Sequence, residues 1–273
     1  MSVNNAILQT QPTSYWPLDD DGDAASCQDA MGLHDAALPA QGVTLAVIPF
    51  GTAQAPYFDG ALGSVLTIDD DVRYSQPHAE ALTVAAWLCP LALDNPNTSG
   101  SEDQFVHYIE KAVGASTDTE WALRLYNKTN PTRHSRLSFY TFNLEPPGEG
   151  NGSFMEYGVS TNDETPVELG TWIFVVGEAE RWISVADQTT GCILWKQGVQ
   201  AERVSADKYG HYQVRPQHGP GPITIGGMQT TGFTGAIAHV AIWDRLLLPA
   251  EIASIWAAGV NDLRATAMYH SYT

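Results

Sequence analysis

Cysteine is scarce in this chain. Its 273 residues hold three: Cys27, Cys89 and Cys192. An odd, sparse set makes no disulfide framework, although one unspecified pair could still join. Cys89 lies in an apolar run and reads as a buried thiol acting as a small hydrophobe. Basic residues are scarce as well. Lys and Arg number 13 against 31 Asp and Glu, for a net charge of −18. Such a chain repels phosphate backbones and anionic headgroups, so nucleic acid and acidic membrane surfaces are excluded as partners. Neutral glycans, cations and basic partners remain compatible with it, and the plainer reading is that the acidity serves solubility. No apolar run approaches membrane-spanning length, which excludes membrane insertion. Residues 1–7, Met1-Ser-Val-Asn-Asn-Ala-Ile7, lack the basic start and apolar core of a secretory signal. The expectation is a chain made in the cytoplasm, placed outside the cell only by a virion or a non-classical export route. There is also no G-x-S-x-G, no His-x-x-x-His pair and no phosphate-binding glycine loop.

What the chain does have is clearest near its end, from Gly232 to Gly259. From Phe233 to Trp243 apolar residues alternate. Phe233, Ile237, Ala241 and Trp243 fall on one face, and Ala236, Ala238, Val240 and Ile242 on the other. Period 2 with both faces apolar predicts a strand buried on both sides. Gly235 leaves a gap where another backbone can approach closely. After Arg245 the period lengthens. Leu248, Ile252, Ile255, Trp256 and Gly259 recur at spacings of three and four, the stripe of a short helix. Pro249 suits its first turn and Gly259 its stop, predicting a helix over Pro249–Ala258.

This stretch resembles the closing motif of the laminin-G-like jelly rolls, within the concanavalin A-like lectin and glucanase superfamily. The residues that carry the likeness are Gly235, Ile237, Val240, Ile242, Trp243, Arg245, Leu247, Glu251 and Ile252. Further segments resemble the same family: Tyr15-Trp-Pro-Leu18, the turn Tyr57-Phe-Asp-Gly60, Leu82–Cys89 and Gly170–Gly177. The resemblance covers roughly Tyr15 to Gly259. It implies an all-β fold, an antiparallel two-sheet jelly-roll sandwich with one short C-terminal helix. The chain then divides into an N-terminal arm at 1–14, the jelly-roll domain at 15–259 and an irregular tail at 260–273. Insertions fall near 93–104, 144–168 and 198–222, and loops of that length are often functional.

Several members of the family hold calcium with acidic residues of the opening loop. Here the loop offers Asp19, Asp20 and Asp29 among clustered carboxylates and a glycine, the oxygen ligands calcium prefers. A solvated acidic turn is the simpler reading. The family's further acid in the closing strand is replaced by Ala238, so such a site lacks one ligand.

The central strands suggest a different site. In Glu120–Tyr126, Trp121, Leu123 and Leu125 point inward and Arg124 and Tyr126 point outward. In Arg136–Phe142, Leu137 and Phe139 share a face, and Tyr140 and Phe142 the other. Arg124, Tyr126 and Tyr140 are therefore expected to line a shallow sugar-binding surface. Rings stack on the apolar face of a pyranose while polar tips bond its hydroxyls. Ordinary cross-strand packing is the bland alternative. Trp87, in Leu82–Cys89, reads as core.

A glucanase of this fold needs paired carboxylates on one strand face, in an E-x-D-x-x-E or E-x-D-x-E run. None exists: Glu102 and Asp103 are adjacent, and Asp163 and Glu164 sit in a loop. Tyr209, His211 and Arg215 have the residue types of a polysaccharide lyase without its surrounding signatures. The function expected is therefore a non-catalytic, lectin-like module that binds glycans or polysaccharide. The alternative is a structural decoration, fibre or appendage subunit, with partners that are copies of itself or a particle such as a phage virion.

Overall fold

The computed structural model describes residues 1–93, 105–113, 119–127, 136–144, 150–154, 167–180, 191–200, 217–228 and 232–270. The three expected insertions lie largely outside these residues, as do the expected strand 181–186 and turn 187–190, Tyr209–Arg215, Glu102, Asp103, Asp163 and Glu164. The chain begins with helix α1 (Val3–Gln9), then strands β1 (Ser14–Trp16), β2 (Ser26–Cys27) and β3 (Ala36–Ala37). There follow β4 (Val43–Phe50), β5 (Ala53–Asp59), β6 (Leu66–Ile68), a short helix α2 (Gln76–Ala79) and β7 (Ala81–Pro90). The middle of the chain forms β8 (Phe105–Ala112), β9 (Thr119–Tyr126), β10 (Leu137–Phe142) and β11 (Gly150–Phe154). The last part holds β12 (Ile173–Glu180), β13 (Cys192–Lys196), β14 (Val199–Gln200), β15 (Ile223–Ile225), β16 (Thr234–Trp243) and α3 (Pro249–His270).

These strands make two antiparallel sheets. The first runs β14-β13-β12-β7-β16-β5-β4, with β1 also paired to β16; the second runs β11-β10-β9-β8-β15-β6-β3-β2. Among the described residues every pairing between strands is antiparallel. A jelly-roll sandwich accounts for this order. Its core lies between the sheets: Val84, Ala86, Leu88, Val175, Ile237, Val240 and Ile242 meet Val106, Ile109, Trp121, Leu123, Leu125 and Phe139. A second core covers the outer face of the first sheet. There Trp87, Phe174, Val176, Ala236, Ala238 and Trp243 pack under Val3 and Ile7 of α1 and Ile252, Ile255 and Ala258 of α3. The first sheet is thus apolar on both faces, as the double-sided patterns of β7 and β16 predicted. Trp87 is core, and all three cysteines are buried thiols outside any disulfide.

Two expectations need correction. In β16 the alternation does not run unbroken. His239 takes a positive φ of 53°, and the register with β7 slips between Ala238 and Ala241. This bulge moves one residue out of phase. Ile237 therefore faces the same core as Val240 and Ile242, while Ala241 and Trp243 join Ala238 on the helix side. Secondly, the C-terminal helix does not stop at Ala258, and residues 260–270 are not an irregular tail. A Cβ on Gly259 would lie 2.1 Å from the Trp87 ring, so this glycine serves close packing rather than termination. The helix continues past it, placing Val260 and Leu263 against the second core. The N-terminal arm, for its part, is folded onto the domain. The Ser2 hydroxyl accepts from Asn5 N, and Val3 N donates to Asp262 Oδ2 at 2.8 Å, tying α1 to α3.

The closing motif has a clear physical basis. Arg245 grips Glu251 through two hydrogen bonds of 2.8 and 2.7 Å, and Glu251 also accepts from Leu248 N at 2.7 Å. The guanidinium holds the Glu251 carboxyl below its ordinary range. Gly235, at φ 148°, fits where an added Cβ would meet Cys89 O at 2.3 Å, the close approach the sequence gap implied.

Candidate functional site

With helices over the outer face of the first sheet, the outer face of the second sheet is where polar side chains gather. Strand alternation puts Glu120, Ala122, Arg124 and Tyr126 of β9 on that face, opposite the inward Trp121, Leu123 and Leu125. Cross-strand register sets Tyr140 beside Ala122, Ser138 and His107 beside Arg124, and Phe105 beside Tyr126.

Arg124 stands at the centre. Its guanidinium carbon lies 3.8 Å from the Phe105 ring centre, 4.3 Å from Tyr140, 5.5 Å from Phe142 and 5.9 Å from Tyr126. Four rings thus surround one cation, each pair worth about 0.5–2 kcal/mol depending on solvent access. The Tyr126 and Tyr140 hydroxyls meet at 2.9 Å. The three residues expected from the sequence are therefore brought together, but not as an open platform. Arg124 is 7% exposed and Tyr126 2%. Phe105, Tyr140 and Phe142 are half-buried and form the solvent-reaching edge. Burial lowers the Arg124 pKa, with the two tyrosines acting against that shift. Its Nε has no hydrogen-bond partner among the described residues.

Two charged groupings flank this box. His107 Nδ1 lies 2.8 Å from Glu110 Oε2, and both side chains are buried. Lys111, with no exposure at all, holds Asp70 Oδ1 at 2.8 Å, Glu120 Oε2 at 2.7 Å and Gly219 O at 2.5 Å. Burial raises the Glu120 pKa, and Lys111 opposes that rise. The sequence reading missed Phe105, Phe142 and both charged groupings as parts of one site. Charged residues within the β8 strand were the available signal, but they converge on Arg124 and Glu120 only once cross-strand register is known.

The acidic opening loop behaves differently from the calcium expectation. Asp29 is buried, and its carboxylate accepts from Tyr15 N, Met31 N, Leu33 N and His34 N at 2.9–3.3 Å. These bonds fold the loop and occupy the lone pairs a cation would need. Asp20 Oδ1 accepts from Gln28 N, and its carboxylate stands beside the buried Cys27 thiol. Asp19 is exposed, and its carboxyl is raised first by desolvation and then by neighbouring Asp20. Among the described residues no three His, Cys, Asp or Glu side chains assemble as a metal site. Asp19, Asp20 and Asp29 do not fit a shared calcium ion in this arrangement.

Two packed antiparallel sheets closed by a helix with its Arg–Glu motif define a jelly-roll sandwich as the class of fold. The chain belongs to the laminin G-like family of the concanavalin A-like lectin/glucanases superfamily, whose pattern matches residues 59–253. No curated protein sequence matches it. Among solved structures it is similar to the botulinum neurotoxin type G receptor binding domain, with 10% identity, a TM-score of 0.58, and coverage of 90% of this chain and 51% of that one. The serotype D binding domain is similar at 13% identity and TM-score 0.59, covering 93% and 53%. Trypanosoma rangeli sialidase in complex with sialic acid is similar at 11% identity and TM-score 0.57, covering 91% and 33%. The chain therefore spans about half the length of the toxin domains and a third of the sialidase. Likeness at such identities establishes fold alone. No helix among the described residues is long and apolar enough to cross a membrane.

Proposed function

We propose that this chain is a non-catalytic carbohydrate-binding jelly roll that engages glycans at the edge of the Arg124 box. The observation that carries the reading is a buried guanidinium enclosed by Phe105, Tyr126, Tyr140 and Phe142, with three of the rings reaching solvent. Packing alone does not call for a desolvated cation on the outer face of a sheet. Amphipathic rings held rigid by a charge suit a pyranose, since ordering the protein on binding then costs little. Tyr140 and Phe142 are the stacking rings in this reading, and Arg124 and Tyr126 hold them from behind. The acids on the same face already have basic partners, Glu110 with His107 and Glu120 with Lys111. That arrangement supports binding rather than paired-carboxylate hydrolysis. The similar solved structures include a receptor-binding domain and a sialidase with bound sialic acid, which is compatible with a saccharide ligand.

A glycan array on the parent chain, repeated with Tyr140→Ala, tests this. The expected result is micromolar-to-millimolar recognition of neutral or weakly acidic saccharides. The variant should lose at least about tenfold, or about 1.4 kcal/mol, while melting as the parent does. An array that stays blank, with the chain assembling into oligomers, would overturn the reading in favour of the structural-subunit alternative.

A further inference from the structure

We infer that Lys111 and Asp70 join through an isopeptide bond: Lys111 Nζ condenses with the Asp70 carboxyl carbon, and water leaves. The placement of Lys111 carries this. Its side chain has no exposure, and its amine stands 2.8 Å from Asp70 Oδ1, 2.7 Å from Glu120 Oε2 and 2.5 Å from Gly219 O. Two acids thus share one buried cation, and burying three charges together is costly. Asp70 Oδ1 is buried too. Among the described residues it accepts no hydrogen bond, although the amine touches it, so the two meet without the alignment of a settled ion pair. The backbone holds both reactants. Ile68 pairs with Ile223 and Ile223 with Lys111, which sets the end of β6 across from Lys111 with β15 between them. Gly219 accepts from Nζ and donates to Glu120 Oε2 at 3.3 Å, fixing amine and acid from one residue.

Glu120 is the catalytic residue, in contact with the reacting nitrogen. Burial raises its pKa, so it holds a proton more readily than a surface acid does. One ammonium proton first passes by way of Glu120 to Asp70 Oδ2. The freed Nζ lone pair attacks Cγ, and the C=O π pair moves to Oδ1. A second proton leaves Nζ through Glu120 for Oδ2. The Oδ1 pair returns, the Cγ–Oδ2 bond breaks, and Oδ2 departs as water with both protons. Nζ keeps its third proton, and Glu120 ends as it began. The Asp70 side chain is 25% exposed although Oδ1 is buried, so Oδ2, 3.5 Å from His218 Nε2, has the route to solvent. Free groups in water do not condense this way, but groups held in contact react at an effective molarity of about 10⁵–10⁸ M. The bond closes a loop that leaves the second sheet after β6, crosses the first as β7 and returns as β8. Such a link restricts the unfolded chain as a disulfide does, without needing an oxidant. It is independent of any saccharide ligand.

The test is mass spectrometry of the purified full chain, first intact under denaturing conditions and then after proteolysis. The intact mass should be one water below that of the sequence, and digestion should release a branched peptide joining Asp70 to Lys111. Asp70→Asn should still link, now losing ammonia, and should reach the same mass as the linked parent because the product amide is identical. Lys111→Met should show no loss, folded or not. Glu120→Gln should slow linking by at least roughly a hundredfold, so that the freshly made variant keeps its full mass. The parent measurement needs no variant to fold and decides alone. A parent at full sequence mass, with Asp70 and Lys111 in separate peptides, would overturn the bond. A water loss that persists in Lys111→Met lies elsewhere in the chain and would overturn it as well. Linking in Glu120→Gln at the parent's rate would overturn the role of Glu120.

Discussion

The two sheets of this molecule bury one face against each other and differ on the faces turned outward. The first sheet presents Trp87, Phe174, Val176 and Trp243 to α1 and α3 and is mostly apolar there. The second presents Arg124, Glu120, Glu110 and His107 and gathers aromatic rings around a cation. Helix packing explains most of the first outer face, where Glu178 and His239 are buried among apolar neighbours. It does not explain the second, where burying charge costs more than an apolar replacement would. Two substitutions on opposite outer faces measure this difference. Trp87→Ala should be the most damaging, because it empties a site between the Phe50 and Phe174 rings, 5.2 Å away on either side. The expected loss is about 3–5 kcal/mol in a denaturant melt. Arg124→Met keeps the volume and removes the charge. Its stability should stay within about 1 kcal/mol of the parent while saccharide binding disappears. A melt in which Arg124→Met is as costly as Trp87→Ala would make the box a structural element, and the contrast between the faces would vanish.

The faces also differ in how much of them the sequence revealed. Both sides of β7 and the inward side of β9 were legible because alternation is a local property of the chain. The three members of the box were legible on the same ground, as outward residues of β9 and β10. Their burial was not, because the contribution of Phe105 depends on the pairing of β8 with β9. The bulge at His239 was hidden for a related reason. One residue in a left-handed conformation flips every later side chain, and nothing in an apolar run marks where this happens. Gly259 shows the opposite fault. Its position suggested a helix stop, but the residue is there because of the Trp87 ring, a contact distant in sequence.

The bulge offers a third, smaller effect. His239 lies under the Phe50 ring, with Nδ1 2.8 Å from the Tyr15 hydroxyl, and burial lowers its pKa to about 3. The unfolded chain binds this proton near the ordinary value of about 6.5. The neutral ring's contribution is therefore complete above pH 6.5. It is lost as pH falls toward 3, at up to about 1.4 kcal/mol per unit. Glu178 on the same sheet face acts oppositely. Its pKa is raised first by burial, so its contribution is present at low pH and fades as pH rises through the raised value. His239→Asn isolates the histidine, since asparagine tolerates the left-handed backbone. Stability measured from pH 7 to pH 4.5 should fall less steeply for the variant than for the parent. Parallel curves would mean that the histidine does not govern this acid response.

The smallest effect expected is that of calcium on the opening loop. To ligate a cation there, Asp29 would have to release hydrogen bonds from Tyr15 N, Met31 N, Leu33 N and His34 N. Hydrogen bonds to a charged group contribute about 1.5–3 kcal/mol each. Asp19 and Asp20 remain, two neighbouring acids without the third that a calcium ion of ordinary affinity requires. A ligand that binds only the folded state stabilises it by mass action, so even weak binding would register at millimolar calcium. The expected outcome is a melting temperature that moves by less than about 1 °C with calcium and does not respond to chelator. A rise of several degrees reversed by chelator would show that the loop exchanges its backbone bonds for the ion. The acidic opening would then be a place where charge serves a ligand rather than the fold.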